Sequence, residues 1–148
     1  MEWHKDSYLI SCSFERMDTD AVYELLSNSY WASERPKDVI VQSMRNSLCF
    51  GLFEYGKQIG FARVITDHVV FAWVCDVIID PNFRGKGLGK WILSCIIEHP
   101  DLQVKTTGLF TKDAHTFYEQ YDFKSVDTMQ RVVHDPKSWN SLSSVNCL

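Results

Sequence analysis

The chain has 148 residues and a mass of 17.2 kDa, which is the size of one ordinary domain. It is 45% hydrophobic and 14% aromatic, so it can build a packed core and is too apolar for a disordered chain. The net charge of −4 argues against binding to nucleic acids, and the longest apolar run, residues 69–75, is far too short to cross a membrane. Because the first ten residues also lack the apolar core of a signal peptide, we expect a cytoplasmic protein with no nucleic-acid and no membrane partner.

The first third of the chain predicts one strand and two helices. A short strand begins at Tyr8. A helix over residues 18–30 follows, capped by Asp18 or Thr19, because apolar residues recur there on one helical face. A second, shorter helix is predicted over residues 37–46, after a proline that suits a helix start.

The middle of the chain is rich in strand patterns. Residues 48–66 predict a β-hairpin that turns at Gly56. Residues 68–80 are almost continuously apolar, which is typical of a strand covered on both faces. A helix over residues 88–99 carries its apolar side chains on one stripe, as a helix lying on a sheet does, and Pro100 ends it.

The last part of the chain predicts a strand, a helix and a strand. The first strand covers residues 104–112, and an amphipathic helix over residues 113–121 is expected to be capped by Asp113. A final strand is predicted over residues 123–133. Residues 134–148 are polar and read as a surface tail.

The order of these elements, β-α-α-β-β-β-α-β-α-β, predicts one α+β domain over residues 1–133. Its central sheet should be flanked by helices on both faces. The five cysteines form no CxxC pair, so we expect no metal site. Cys75 and Cys95 lie within apolar segments and should act as small core residues.

The most informative segment is residues 84–90, Arg-Gly-Lys-Gly-Leu-Gly-Lys, between a buried strand and a helix. Glycines let the backbone approach a ligand closely, and the N–H groups at a helix start favour an anion. Three cations stand in this segment, and no acidic residue occurs from 82 to 97. The pattern indicates a pyrophosphate cradle, with a glycine-rich turn bearing solvated lysines as the alternative. Its spacing fits neither the phosphate loop GxxxxGK[ST] nor the dinucleotide fingerprint GxGxxG.

Two motifs carry a resemblance to a known family. Arg84 to Gly89 match the pattern (R/Q)xxGxG/A after a strand, and residues 117–123 match in part a helix with a tyrosine followed by Gly-Phe. With these motifs, and with the element order over roughly residues 7–133, the chain resembles the GCN5-related N-acetyltransferase (GNAT) superfamily. Asp122 stands where that glycine is usual, but aspartate tolerates the left-handed conformation. Thr111 stands where asparagine is frequent, which weakens one expected polar contact to the cofactor.

The resemblance implies a mixed, mostly antiparallel sheet and acetyl-CoA as the co-substrate. Backbone groups of Val77, Ile78 and Ile79 would pair with the pantetheine arm, and amides of residues 85–90 would hold the pyrophosphate. A backbone N–H near Ile78 or Ile79 would stabilise an oxyanion. The implied cofactor-binding residues are Val77, Ile78, Ile79, Arg84, Gly85, Lys86, Gly87, Leu88, Gly89, Lys90 and Thr111.

The implied reaction is direct attack of a neutral amine on a thioester through a tetrahedral intermediate. By resemblance Tyr118 is the general acid for the departing thiolate, and a core aromatic is the alternative. Asp76 is a candidate base because it is a lone carboxylate in an apolar run, where burial should raise its pKa. An ion pair with a neighbour such as Arg63 is an equally open interpretation.

The acceptor site is implied to lie between the first two helices, at Tyr30, Trp31 and Glu34, although Trp31 suits a core anchor equally well. His115 and Glu54 are weaker candidates. We predict an N-acetyltransferase that acts on a primary amine of a small molecule. The alternatives are a protein lysine or N-terminal acetyltransferase and a non-catalytic acetyl-CoA sensor. The resemblance also makes a homodimer plausible.

Overall fold

A computed structural model describes residues 1–132 and residue 139 of the chain. One six-stranded sheet forms the centre of the molecule, and its strands lie side by side in the order in which they occur in the chain. Strands β1 to β5 are antiparallel to their neighbours, and β6 runs parallel to β5. The strands are β1 Glu2–Lys5, β2 Tyr8–Ser11, β3 Leu48–Glu54, β4 Lys57–Thr66, β5 Phe71–Ile79 and β6 Thr106–Leu109. The prediction of a mixed, mostly antiparallel sheet is confirmed.

Helices cover both faces of this sheet. One apolar cluster packs α3 against the sheet, and a second cluster packs α1 and α2 against the opposite face. The helices are α1 Thr19–Ser27, α2 Lys37–Arg45, α3 Leu88–Glu98 and α4 His115–Glu119, with short 3₁₀ turns at Phe14–Arg16, Pro81–Phe83 and Pro100–Leu102. Asp18 caps α1, since its carboxylate accepts hydrogen bonds from the N–H groups of Asp20 and Ala21. The predicted α+β arrangement is therefore confirmed.

A β-bulge in β5 changes which residues of the strand face α3. Ala72 and Val74 belong to the cluster under α3, and further along the strand Val77 packs against that same cluster. Even-numbered residues face α3 before the bulge and odd-numbered residues after it. The change occurs at Asp76, whose φ is +55°, where the register between β4 and β5 shifts. The bulge thus turns the Asp76 side chain towards the face covered by α1 and α2.

Beyond the bulge, β5 has a free edge. The parallel pairing of β5 with β6 ends at the pair Val74 and Leu109, whereas β5 itself continues to Ile79. Within the described part of the chain, residues 75–79 have a strand partner on the β4 side alone. We call this unpaired side of residues 75–79 the open edge. A sheet that splays in this way can accept an extended ligand as an added strand.

The last predicted strand is absent over the described part of its range. Residues 123–132 are irregular and largely exposed, and Val133 lies outside the described residues, as does the predicted tail 134–148 apart from residue 139. The apolar residues of this segment, Phe123, Val126, Met129 and Val132, recur at every third position. A strand needs alternation at every second position to present one apolar face, so the prediction was wrong.

Two smaller predictions also need correction. Strand β1 was not predicted; its residues are mostly exposed, and it pairs through a tight turn with β2. Asp113 does not cap α4, because the helix begins later, with Ala114 as its N-terminal cap residue. The hydroxyl of Thr111 accepts the hydrogen bond from the Ala114 N–H at 3.0 Å instead. Asp122 does adopt the left-handed conformation expected of it, with φ +65°.

Candidate active site

The loop of residues 84–90, here called the Gly loop, joins the end of β5 to α3. Gly85 and Gly87 have φ values of +78° and +76°, which L-residues other than glycine adopt only with strain. A Cβ atom placed on either glycine would meet no other atom within 4 Å. These glycines are therefore needed for their backbone conformation, and the space beside them is free for a ligand.

The Gly loop is positively charged at its surface. Arg84, Lys86 and Lys90 are exposed, and none forms an ion pair with an acidic group of the described residues. Arg84 Nε donates to the carbonyl oxygen of Ile79 at 3.2 Å, which fixes the loop to the end of β5. Gly87 is the N-terminal cap residue of α3, so the first N–H groups of that helix lie within the loop. Free N–H groups and cations together suit a phosphate ligand.

The register of β5 shows which backbone groups reach the open edge. The N–H of Asp80 donates to Ile59 in the β4 direction, and Ile78 stands opposite Phe61 of β4. Because backbone groups alternate along an antiparallel strand, those of Ile78 point to β4 and those of Val77 and Ile79 point away from it. The prediction that residues 77–79 bind the pantetheine arm is thereby narrowed to Val77 and Ile79, and it stays a prediction.

Helix α4 lies across the start of α3, close to the open edge. A Cβ atom on Gly89 would lie 3.9 Å from both the Phe117 ring and the Ile79 side chain. The Tyr121 hydroxyl donates to the carbonyl oxygen of Lys90 at 3.1 Å. These contacts set the position of Tyr118, which lies on the same short helix.

Tyr118 is half-buried between aromatic rings, in edge-to-face contact with Phe117 and Phe123. Burial raises the pKa of Tyr118 above its usual value, and nearby Tyr30 and Asp113 add to that increase. The phenol is therefore protonated at neutral pH, as a proton donor must be. The prediction that Tyr118 is the general acid remains untested, and this state is compatible with it.

The segment between α1 and α2, residues 28–36, is here called the acceptor loop. Tyr30 and Trp31 are exposed and meet edge to face, with ring centroids 5.0 Å apart. The ammonium group of Lys112 lies 5.6 Å from the centroid of the Tyr30 ring. Tyr30 is also close enough to Tyr118 to affect its pKa. The predicted acceptor residue Glu34 is exposed and makes no hydrogen bond or ion pair within the described chain.

Asp76 is held by three side chains. Arg63 Nε lies 2.6 Å and Arg35 Nη1 lies 2.9 Å from Oδ2, and Trp31 Nε1 donates to Oδ1 at 3.0 Å. Arg63 also donates to the Ser47 hydroxyl at 3.1 Å. We call Asp76 with these partners the Asp76 cluster. Arg63 was predicted from the sequence as a partner of Asp76, but Arg35 was not. Arg35 is 41 residues away in the chain, and no local sequence pattern indicates its contact with Asp76.

The ion pairs reverse the expected titration of Asp76. Burial alone would raise the pKa of the carboxyl, but the charges of Arg35 and Arg63 and the hydrogen bonds from Arg63 and Trp31 outweigh it and lower that pKa. The expectation of a raised pKa was wrong. A carboxylate with three donors and a lowered pKa is a poor proton acceptor, so the geometry favours the ion-pair interpretation.

The remaining candidates have simpler roles. Glu54 accepts a hydrogen bond from Ser7 at the end of the sheet, and His115 is exposed on α4. Burial raises the pKa of Cys49 and of Cys95 to about 12, so both thiols are inert core groups. Within residues 1–132 and at 139, no cluster of three or more His, Cys, Asp or Glu side chains is placed to hold a metal ion. No helix in the same part of the chain is long and apolar enough to cross a membrane.

The geometry defines a protein that can hold a long anionic ligand along a sheet edge and against a helix start. Comparison with known proteins identifies the family. The acetyltransferase (GNAT) domain matches residues 45–125. FG08082 of Gibberella zeae, named as an acetyltransferase, is 30% identical over 88% of each chain.

Solved structures agree with that match. A GNAT-family structure from Xanthomonas campestris pv. campestris, named as an acetyltransferase, shares 34% identity with a TM-score of 0.83, over 88% of this chain and 96% of that one. Glucosamine-6-phosphate N-acetyltransferase from Arabidopsis thaliana shares the fold, with 18% identity and a TM-score of 0.63 over 88% of this chain and all of that one. The chain belongs to the GNAT family of acetyltransferases, as its motifs predicted.

Proposed function

We propose that this acetyltransferase uses acetyl-CoA and transfers the acetyl group to a primary amine of a small molecule. The observation that carries the proposal is the meeting of two features at the end of β5. The open edge offers backbone groups without a strand partner among the described residues, and the Gly loop offers helix N–H groups beside three exposed cations. Coenzyme A combines an amide-bearing arm with a pyrophosphate, so each feature has a matching part of the ligand.

The residues present fit this co-substrate. Val77 and Ile79 can pair with the amides of the arm as a neighbouring strand would, while the Gly loop holds the pyrophosphate. Thr111 caps α4 through its oxygen, and its hydroxyl hydrogen has no acceptor among the described residues, so it can donate. Acetyl-CoA supplies an activated acetyl thioester when it binds.

The reaction needs two proton transfers, one to the departing thiolate and one from the acceptor amine. Tyr118 keeps its phenol proton at neutral pH, since its pKa is raised further above that range, and it donates this proton to the departing thiolate. A typical alkylamine has a pKa near 10.4, so fewer than about one molecule in a thousand is neutral at pH 7. Since Asp76 is locked in its ion pairs, we propose that the amine loses its proton to water. The rate constant kcat/KM should then rise about tenfold per pH unit below the pKa of the amine.

The exposed aromatic pair of the acceptor loop supports a small acceptor. Tyr30 and Trp31 form an exposed aromatic wall, Lys112 stands over the Tyr30 ring, and Tyr30 contributes to the raised pKa of Tyr118. Such a wall suits the flat or apolar body of a small amine, which can pack against the rings.

A screen of amines that follows the release of free coenzyme A tests this function. Small primary amines, lysine-containing peptides and peptides with a free N-terminus form its three arms. We expect turnover in the first arm. Turnover in the peptide arms alone would replace the small-molecule acceptor by a protein, and acetyl-CoA binding without turnover in any arm would indicate a sensor.

The Tyr118→Phe variant tests the chemical role. It keeps the ring in its aromatic cluster and removes the hydroxyl, so kcat should fall on the order of 10²–10⁴-fold while acetyl-CoA affinity stays nearly constant. Tyr23→Phe is the matched control, because it removes a hydroxyl from an exposed tyrosine of α1 that makes no hydrogen bond through that hydroxyl with the described residues. Wild-type kcat in Tyr118→Phe would contradict the role of general acid.

A further inference from the structure

The hydrogen bonds between the acceptor loop and the sheet all end on one carboxylate within the described chain, while Ala32 joins the apolar cluster on that face. Among residues 28–36, only Ser29 and Ala32 are buried. The backbone and hydroxyl hydrogen bonds of this loop are local, such as those from Ala32 to Ser29 and from Arg35 to Ala32. The hydrogen bonds that reach the sheet come from the side chains of Trp31 and Arg35, and both end on Asp76. Asp76 is therefore the polar link between the loop and β5.

The same carboxylate stands at the bulge of β5. Asp76 has the positive φ at which the facing of the β5 side chains changes. Val77, whose backbone groups point to the open edge, follows it directly. Arg63 bonds Asp76 from β4, across the shifted register, and bonds Ser47 at the start of β3. A residue in a left-handed conformation persists only where its surroundings hold it, and here the two ion pairs do so.

We propose that Asp76 is a positioning residue that couples the acceptor loop to the open edge, so that binding of acetyl-CoA orders the loop that receives the amine. This inference rests on the proposed function, since it takes the open edge as the place where acetyl-CoA binds. When a ligand pairs with Val77 and Ile79, it restricts the bulge at Asp76. The restricted carboxylate then holds Trp31 and Arg35 more firmly, and the wall formed by Tyr30 and Trp31 becomes ordered before the amine arrives.

Two variants release the loop without leaving the carboxylate unpaired. Arg35→Met removes one ion pair, but Arg63 still neutralises Asp76. Trp31→Phe removes the indole N–H and keeps an aromatic ring. Arg45→Met is the matched control for Arg35→Met, because Arg45 is exposed on α2 and forms no ion pair with the described residues.

Hydrogen exchange of the full chain, read by mass spectrometry with and without saturating acetyl-CoA, tests the coupling. In the wild type and in Arg45→Met we expect acetyl-CoA to slow exchange at residues 77–79 and 85–90, and also in the acceptor loop. In Arg35→Met and Trp31→Phe the first two segments should remain protected, while the slowing in the acceptor loop is lost. The same variants should raise the KM for the amine on the order of tenfold, as the loss of one strong hydrogen bond does, with acetyl-CoA affinity changed less than about twofold.

The outcomes separate the inference from the proposed function. Wild-type protection at residues 85–90 without any in the acceptor loop would overturn the coupling and leave the function standing. Acceptor-loop protection that survives in both Arg35→Met and Trp31→Phe would also overturn it, because Asp76 would not be the link. No protection at residues 85–90 in the wild type would overturn the proposed function, and the inference with it.

Discussion

Two groups of charged residues flank the second half of β5, and they differ in what neutralises them. In the Gly loop the charges of Arg84, Lys86 and Lys90 are exposed and have no acidic partner among the described residues. In the Asp76 cluster the side chain of Asp76 is 3% exposed, and those of Arg35 and Arg63 are 17% and 12% exposed. There one carboxylate pairs with both guanidinium groups, so the cluster carries one net positive charge.

The difference shows how burial assigns a role to a charge. A buried charge costs free energy unless the protein itself pairs it, and the fold pairs the Asp76 carboxylate with two cations. An exposed cation beside free N–H groups costs little and remains available to a ligand. We therefore propose the Gly loop as the binding half of the site and the Asp76 cluster as its structural half.

The largest expected effect comes from removing the buried carboxylate charge. Asp76→Asn leaves two guanidinium groups without their counter-charge, and the free energy of unfolding should fall by about 3–5 kcal/mol. Urea denaturation measures this loss. A matched change in the Gly loop, Lys86→Gln, should alter stability by less than about 0.5 kcal/mol, since Lys86 is exposed. Equal effects of the two variants would remove the distinction between the two regions.

The pH dependence of the stability lost in Asp76→Asn sharpens that test. The pKa of Asp76 is lowered in the folded chain, so its ion pairs contribute stability that is complete above the unfolded value of about 3.9 and is lost as the pH falls through the folded value. The difference in unfolding free energy between wild type and Asp76→Asn should stay constant from pH 8 to about pH 5 and shrink below about pH 4. A difference that vanishes near pH 6 would mean that Asp76 has a raised pKa and is free to act as a base.

A smaller effect is expected from the backbone of the Gly loop. Gly87→Ala forces an L-residue to a φ of +76° and should lower stability by about 1–2 kcal/mol. Gly89→Ala is the matched control, because that glycine lies inside α3 and its new Cβ would make ordinary contacts at 3.9 Å. There the alanine should raise stability by up to about 1 kcal/mol. Thermal unfolding without ligand compares the two, and a similar sign for both would contradict the left-handed conformation at Gly87.

The smallest effect is expected from the exposed cations themselves. Lys86→Gln and Lys90→Gln should each weaken acetyl-CoA binding only severalfold, because a solvated charge contributes about 1 kcal/mol or less. Their Kd values should also depend less on salt than that of the wild type. Titration calorimetry at two salt concentrations measures both quantities. Unchanged affinity and salt dependence in both variants would mean that these lysines are merely solvated.

The sequence predicted the parts of the molecule that depend on local patterns. Helices α1 and α3 followed from apolar stripes and caps, and the Gly loop followed from its glycines and their place before a helix. The parts that were missed depend on distant partners. The bulge at Asp76 appears only when β4 lies beside β5, and the bond from Arg35 joins residues far apart in the chain. The predicted rise in the pKa of Asp76 was wrong for that reason. A lone carboxylate in an apolar run does not reveal the cations that the fold brings to it.

The most direct test of the account is the thermal unfolding of the wild type with acetyl-CoA, coenzyme A and NAD. A ligand that binds only the folded chain at one hundred times its Kd stabilises it by about 2.7 kcal/mol. We predict that acetyl-CoA and coenzyme A raise the Tm to a similar extent, because both carry the arm and the pyrophosphate, and that NAD does not. No shift with either form of coenzyme A, or a larger shift with NAD, would contradict the claim that the open edge and the Gly loop together bind acetyl-CoA.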